Sequence, residues 1–333
     1  MDALDRALGA LYGLAVGDAL GMPTQALPRA TVSRLFGTLD GFRAGPVENE
    51  LSSGLPAGRT TDDTDQALIV ARCLVEGGGR VDPEVLAGRL LDWQHRMEQA
   101  GSADLLGPST LRALRLVTDG VPAGTTGRWG DTDGAAMRVT PLGVATPARP
   151  LERLCAVVAD LDRLTHDTTL ANAGAAAVAA VVSAGVDGAG WAEASRLGAE
   201  AAVLGGGHGS YVPGADVARR IAWAVDLVSG SDDDTLLDLV DGLVGTGVAT
   251  QEAVPAAFAV ASRAPEDPWR AALLAARLGG DTVAAMSGAM VGACTGLAAL
   301  PADAVEQVRQ VNDLQLEHLA EDLLALREQH GSA

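Results

Sequence analysis

The sequence predicts an all-α protein with one compact domain over residues 1–333. The first observation is composition: 48% of the residues are hydrophobic but only 3% are aromatic, so Ala, Leu, Val and 41 glycines must fill the core. Such small residues let helices approach one another closely. The second observation is that apolar residues recur at helical spacing along most of the chain. The third is that no stretch alternates convincingly between apolar and polar residues, as a half-buried strand would.

Four helices and one irregular segment are predicted in the first 118 residues. Residues 4–16 form an amphipathic helix. Residues 24–57 combine Gly, Pro and scattered acidic residues, which predicts an irregular segment that can cover a cleft as a lid. A helix over 65–77 ends at three consecutive glycines, and a second over 83–100 begins at a proline and carries Leu and Trp on one side. A short helix over 108–118 follows.

The remaining chain alternates helices with loops. Residues 119–134 form a loop rich in Gly and Thr, and a run of small residues then begins a helix. Residues 169–184 are nearly all Ala and Val, which predicts a helix that is apolar on every side and therefore buried. Other helices are predicted over residues 151–164, 190–205, 214–229 and 233–246, from 267 to the glycines at 279 and 280, from 283 onward, and over 303–328.

The charge balance and the cysteines limit the classes of partner and compartment. With 24 basic and 43 acidic residues the formal charge is −19, so nucleic acid and anionic membranes are not expected partners. Cys73, Cys155 and Cys294 are odd in number, widely spaced and set in apolar surroundings. They predict buried thiols of a reduced compartment, not a disulfide framework or a zinc site. Because no secretory signal pattern and no run of 18 apolar residues is found, a cytoplasmic protein is expected.

The segment Gly58–Leu68 carries the densest group of polar oxygens, with Thr61, Asp62 and Asp63 directly before an apolar helical run. One Asp would be enough to cap the helix, and two adjacent carboxylates repel each other. Hard oxygen ligands at this density suit Mg²⁺, Mn²⁺ or Ca²⁺. The alternative is a richly capped helix on the surface.

A second hydroxyl–carboxylate pair, Asp281 and Thr282, also stands at the start of a buried apolar helix. Two such loops can share one dry pocket only if a positive charge lies between them, so we expect Asp281 to line the same pocket as Thr61, Asp62 and Asp63.

Three other acidic or basic features leave alternatives open. Asp18 is either a turn former or a buried carboxylate that faces the loop at Thr61–Asp63. His166, at the start of a buried helix, is either a structural hydrogen-bonding group or a ligand-binding residue. The acidic run 231–234 looks like a second metal cluster, but it lies in a polar connection before a surface helix and is interpreted as a capped, solvated loop.

The pattern excludes several reaction classes. No Ser-His-Asp or Cys-His arrangement, no phosphate-binding Gly-rich loop after a strand and no metal-binding His pair is found. An acidic, oxygen-rich site on helices suits metal-assisted hydrolysis, in which a carboxylate acts as the base.

Five stretches, in the same order along the chain, resemble the ADP-ribosylglycohydrolase family, which includes the dinitrogenase-reductase-activating glycohydrolases. They are Gly17-Asp-Ala-Leu-Gly-Met-Pro23, Thr61-Asp-Asp-Thr64, Gly134-Ala-Ala-Met-Arg138, Thr165-His166 and Leu278-Gly-Gly-Asp-Thr282. The resemblance implies an orthogonal helical bundle, a Mg²⁺ (or Mn²⁺) centre of one or two ions, and hydrolysis of the glycosidic bond of an ADP-ribosyl or related ribosyl or nucleoside-type substrate.

The resemblance also implies roles for individual residues. The metal ligands would be Thr61, Asp62, Asp63, Asp281 and Thr282. Two of these, Asp62 and Asp63, would also be catalytic. The substrate, a small molecule or an ADP-ribosylated protein, would be bound by Asp18, Asp133, Gly134, Ala135, Met137 and His166.

The chain departs from the family pattern at three positions. Gln25 replaces a common Glu, Asp133 replaces a common Asn, and the loop before Val283 lacks one Asp-Thr pair, so that Gly279 falls where the first Asp should be. Two alternatives therefore stand beside the hydrolase. The chain is either a catalytically inactive member that binds ADP-ribose or a nucleotide, or a member repurposed for another reaction in specialised metabolism.

Overall fold

The computed structural model describes residues 2–102 and 106–331. Within these ranges there is no β-strand, only two isolated bridges, Thr132 with Ala249 and Thr168 with Ser210. The predicted all-α class is confirmed. The α-helices, numbered α1 to α17, are Ala3–Gly21, Arg29–Phe36, Asp62–Glu76, Pro83–Gln99, Pro108–Thr118, Gly134–Met137, Thr140–Ala145, Leu151–Asp162, Thr169–Val186, Trp191–Gly205, Val217–Leu227, Asp233–Leu239, Thr250–Arg263, Pro268–Ala276, Asp281–Thr295, Ala302–Asn312 and Glu317–Gly331.

The helices α1 and α15 pack against each other with their backbones in contact. A stripe of glycines at every fourth position of α1, from Gly9 to Gly21, faces α15. A Cβ atom added at Gly13 would lie 2.3 Å from the carbonyl oxygen of Gly288, and one added at Gly17 would lie 2.2 Å from that of Ala284. This close contact fixes the start of α15, which carries Asp281, beside the end of α1, which carries Asp18.

The helix α9 (Thr169–Val186) lies in the core, as its sequence predicts. By length and composition it could cross a membrane, but 94% of that window is buried inside the protein. Arg6 links the C-terminal end of α9 to that of α15. The Nη1 atom of Arg6 donates to the carbonyl oxygens of Gly185 (2.8 Å) and Cys294 (2.8 Å). A cation at two helix C-termini satisfies carbonyl groups that have no partner within the helix.

Three predicted segments differ from the structure. The helix predicted over residues 4–16 as amphipathic continues to Gly21, and all its residues from Ala7 onward are buried. Residues 24–57 are not wholly irregular, since they contain α2 (Arg29–Phe36). Only Val32 of that helix is buried, so no apolar stripe indicates it in the sequence. The helix predicted over 303–328 is broken at Asp313, whose φ of 51° is left-handed, and continues as α17 after the break.

Three smaller features complete the comparison with the sequence. The helix expected over 233–246 ends at Leu239 and continues as a π turn, Val240–Val244. The acidic run 231–234 is a loop only up to Asp232, whose carboxylate caps α12 by accepting from the Thr235 amide at 2.8 Å, because Asp233 and Asp234 form the first turn of that helix. The three cysteines are buried and unpaired within the described residues, as predicted.

Candidate functional site

The Asp18 carboxylate holds the loop at Thr61–Asp63 in place. It is fully buried inside α1, so the turn interpretation is wrong. Its Oδ1 atom accepts from the amide (3.0 Å) and hydroxyl (2.8 Å) of Thr61, and its Oδ2 atom accepts from the amide of Thr64 at 3.1 Å. Asp18 therefore caps the N-terminus of α3 from a neighbouring helix.

The first turn of α3 carries the Asp pair that the sequence predicts as metal ligands. Asp63 is buried, and Asp62 is half-buried in the wall of a cavity. A richly capped helix on the surface is thus excluded. The Thr282 hydroxyl of α15 donates to Asp63 Oδ2 at 3.3 Å, and the Thr282 amide donates to Asp281 Oδ1 at 2.9 Å. The two hydroxyl–carboxylate loops are joined in one site.

A cavity of about 440 Å³ opens at this junction. Six of the predicted site residues line it, namely Asp62, Asp133, Gly134, Met137, Asp281 and Thr282. Five others lie behind its wall and are buried, namely Asp18, Thr61, Asp63, Ala135 and His166. Gln25 also lines the cavity, and its Nε2 atom meets no hydrogen-bond partner within the described chain.

The carboxylates of the site raise one another's pKa values. Burial raises the pKa of Asp63 well above its usual range, and the neighbouring Asp281 and Asp18 raise it further. Burial likewise raises the pKa of Asp133 well above its usual range, with a further contribution from Asp281. The pKa of Asp18 rises to about 7, again mainly through burial, although its bonds from Thr64 and Thr61 oppose the rise. Among the described lining residues no Lys, Arg or His offsets this charge.

The donor set is chemically suited to a hard divalent cation. The Oδ1 atom of Asp63 is buried and has no hydrogen-bond partner among the residues described, which is costly for a carboxylate unless a cation takes that place. Across the same part of the chain, no three His, Cys, Asp or Glu side chains converge as a ready ligand group. A cation here would need further oxygen ligands as well. Water can supply them, and so can the hydroxyls of Thr61 and Thr282.

The backbone before α15 accounts for the glycine at position 279, where the family pattern would have its first Asp. Gly279 has a φ of 77°, and a Cβ atom added there would lie 2.0 Å from the carbonyl oxygen of Leu27. Position 279 therefore cannot carry an Asp without moving the backbone.

His166 lies one layer behind the cavity, and its imidazole is fully buried. Its Nδ1 atom is 2.7 Å from the Thr165 hydroxyl and its Nε2 atom is 3.0 Å from the Thr132 hydroxyl. Burial, helped by the Arg138 charge, lowers its pKa well below the usual range, so the ring is neutral. Gly134 packs on the ring, because a Cβ atom there would lie 2.9 Å from His166 Cε1.

Sequence reasoning missed three polar residues that support the site. Gln66 and Arg138 are fully buried, and Thr132 lines the cavity. One signal was available for Arg138, since it is the only charged residue between Gly134 and Ala148. An Arg in such an apolar run needs buried partners.

The chain is similar to known proteins in sequence and in fold. The family model described as ADP-ribosylglycohydrolase matches residues 1–333. The chain is 37% identical to the uncharacterized protein YegU of Escherichia coli K12 over 328 residues, which cover 98% of both chains. It is 28% identical to the ADP-ribosyl-[dinitrogen reductase] glycohydrolase of Rhodospirillum rubrum over 173 residues, 51% of this chain and 54% of that protein.

One solved structure, an ADP-ribosylglycohydrolase-related protein complex, is similar over the whole length. It covers 99% of each chain with a TM-score of 0.65 and 27% sequence identity. The family match, the full-length relative and the shared fold lead to one conclusion: the chain belongs to the ADP-ribosylglycohydrolase family.

Proposed function

We propose that the protein is a Mg²⁺- or Mn²⁺-dependent hydrolase that cleaves the glycosidic bond of an ADP-ribosyl or related ribosyl group. Its family and relatives support ADP-ribosyl glycohydrolase activity in general. The observation that carries the finer proposal is the orphaned, buried Asp63 oxygen beside a cavity whose walls carry Asp62, Asp133 and Asp281.

The residues of the site divide into two groups under this proposal. Asp62, Asp63 and Asp281, with the hydroxyls of Thr61 and Thr282, would hold one or two ions. When bound, such an ion polarises water and ribose hydroxyls and offsets the carboxylate charge. Asp62 or Asp63 would accept the proton of the attacking water, because a carboxylate that is kept ionised by a nearby cation can act as a base.

The charge of the site also predicts how a substrate enters. The described lining residues of the cavity include three acidic side chains and no basic one, so the protein alone offers a diphosphate no positive charge. We therefore propose that ADP-ribose binds only after a cation has bound. A cytoplasmic location, and the absence of nucleic-acid and membrane partners, stay predictions from composition.

The proposal is tested by turnover assays with and without a cation. Purified protein is incubated with an ADP-ribosylated arginine peptide or with nucleosides, in EDTA, Mg²⁺ or Mn²⁺, and released ADP-ribose or ribose is measured by chromatography. Release only in Mg²⁺ or Mn²⁺ is expected, with one or two ions per chain by calorimetry. Asp63→Asn should lose this turnover, whereas Asp234→Asn, which removes the same charge at an exposed ion pair with Arg277, is the matched control and should turn over normally.

Two outcomes would contradict the proposal. Turnover unaffected by EDTA would exclude the cation. Cation-dependent binding of ADP-ribose with no cleavage of any substrate would instead identify the chain as a binding member of the family.

A further inference from the structure

Arg138 is the centre of a buried hydrogen-bond chain that joins two walls of the cavity. Its Nη1 atom donates to Gln66 Oε1 at 2.9 Å, and its Nη2 atom donates to the Thr165 hydroxyl. Both partners are themselves buried. Since a guanidinium group can only donate, it fixes the direction of every hydrogen bond that follows from it.

The first arm runs from Arg138 to Asp62. Because Gln66 must present its carbonyl oxygen to Arg138, its amide NH₂ group is turned the other way. That group donates to Asp62 Oδ2 at 2.7 Å. Arg138 therefore determines, through Gln66, how the Asp62 carboxylate is held in the cavity wall.

The second arm runs from Arg138 through Thr165 and His166 to Thr132. The described structure gives the buried Thr165 hydroxyl two partners, Arg138 and His166 Nδ1. Arg138 donates to it, so its own proton must go to Nδ1, since a buried hydroxyl proton is rarely left unused. The neutral imidazole then carries its proton on Nε2 and donates to Thr132 at 3.0 Å.

The second arm ends at the Thr132 hydroxyl, whose proton has a fixed direction. The Thr132 hydroxyl accepts from His166, which leaves its own proton to be donated into the cavity that Thr132 lines. The residue is held in place by its backbone neighbours, because the Asp133 amide donates to the Val248 carbonyl oxygen at 2.9 Å. A fixed donor recognises an acceptor oxygen.

We propose that Arg138 is a positioning residue that sets the orientation of Asp62 through Gln66, and the direction of the Thr132 hydroxyl through Thr165 and His166. Thr132 donates to an acceptor oxygen of the bound ligand, and His166 acts through Thr132 without touching it. The identity of that ligand, an ADP-ribosyl group, rests on the proposed function. The hydrogen-bond directions do not.

The first test needs no substrate, so its outcome does not depend on whether the proposed function is correct. Long-range ¹H–¹⁵N NMR of the histidine rings reports which nitrogen of His166 carries the proton, with assignment from a His166→Asn variant. We expect the Nε2–H form. The Nδ1–H form would overturn the proposal, because Thr132 would then have to donate to His166 and would have no proton for a ligand.

The second test separates the two arms by calorimetry with Mg²⁺ alone and with ADP-ribose at saturating Mg²⁺. Thr132→Val should weaken ADP-ribose binding about five- to tenfold and change Mg²⁺ affinity less than about twofold, while Thr132→Ser should restore binding. Gln66→Leu should show the reverse, with weaker Mg²⁺ binding and nearly normal ADP-ribose affinity. Arg138→Lys, which cannot serve both arms in one geometry, should show both losses.

The matched control is Thr295→Val, which removes a hydroxyl bonded within its own helix at the far end of α15, about 20 Å from Asp281. It should bind both ligands normally. Thr132→Val with wild-type ADP-ribose affinity, or Thr132→Val and Gln66→Leu with the same pattern of losses, would overturn the proposal. If wild-type protein binds no ADP-ribose, the proposed function fails while the His166 result still decides the direction of the second arm.

Discussion

At the scale of single residues, Asp18 and Asp63 differ in whether the protein itself supplies their hydrogen-bond partners, a difference that the sequence did not indicate. Asp18 is satisfied by protein groups, since Thr61 and Thr64 donate to both of its oxygens. Asp63 keeps one buried oxygen without a partner in the described chain. The first residue holds the loop in place, and under the proposed function the second binds the cation.

Replacing Asp63 with Asn tests this division. At pH 8 without metal, native Asp63 must either stay protonated or bury a poorly satisfied charge, so Asp63→Asn should stabilise the metal-free protein by about 1–3 kcal/mol. For a chain of 333 residues that corresponds to about 1.4 °C per kcal/mol. The stabilisation that Mg²⁺ gives the wild type should largely disappear. Thermal unfolding in EDTA and in Mg²⁺ measures both, and a variant that melts below wild type in EDTA would show that Asp63 is structural.

At the scale of elements, the glycine stripe of α1 decides where the site forms. Because no side chain separates α1 from α15, the Cα atom of Asp281 would lie only 2.3 Å from a Cβ atom added at Gly21. The carboxylates at the ends of the two helices are therefore brought together by backbone contact. Spacing of four between glycines was visible in the sequence, but its partner helix was not.

Gly17→Ala tests this contact. The new methyl group would meet the Ala284 carbonyl oxygen, and forcing two packed helices apart costs about 1–3 kcal/mol or more. Urea unfolding should show that loss. Mg²⁺ affinity should fall as well, because Asp281 would move away from Asp62 and Asp63, which Asp18 holds in place through Thr61 and Thr64.

The matched control is Gly88→Ala in α4, where an added Cβ meets no heavy atom of the described residues within 4 Å. It should stabilise the protein by up to about 1 kcal/mol, because Ala has the higher helix propensity. Equal stability of the two variants would contradict the contact.

At the scale of the whole molecule, the site makes stability depend on pH. The pKa of Asp18 is raised to about 7 in the folded protein, above its usual value of 3.8, and burial also raises the pKa values of Asp63 and Asp133 well above their usual range. The folded state therefore holds more protons than the unfolded state between these values. The stability of the metal-free protein is greatest at low pH within this window and falls as pH rises through the folded pKa.

We expect the metal-free protein to unfold at a lower temperature at pH 8 than at pH 5.5. Each pH unit in the window removes about 1.4 kcal/mol per proton held only in the folded state. A bound cation favours the ionised carboxylates, so the stabilisation by Mg²⁺ should grow over the same range. Calorimetric scans at several pH values, in EDTA and in Mg²⁺, measure both slopes. Asp63→Asn should flatten the EDTA slope, and a wild-type unfolding temperature that rises with pH in EDTA would contradict this account.

The sequence by itself determined the helices that bury an apolar stripe, and the positions of the two hydroxyl–carboxylate pairs at the starts of α3 and α15. Both are encoded locally, because helical periodicity and capping residues act within one or two turns. The ordered stretches from Gly17 to Thr282 were enough to indicate the family.

Tertiary structure alone decided which partner each polar group has. Asp18 binds Thr61 across 43 positions, and Arg138 binds Gln66 across 72. The break before α17 has the same cause, since the side chain of Asn312 donates to the Gly58 carbonyl oxygen and accepts from the Thr60 amide. Local periodicity in the sequence indicates that a residue is buried. A buried polar group must also find a partner, and packing brings that partner from a distant part of the chain.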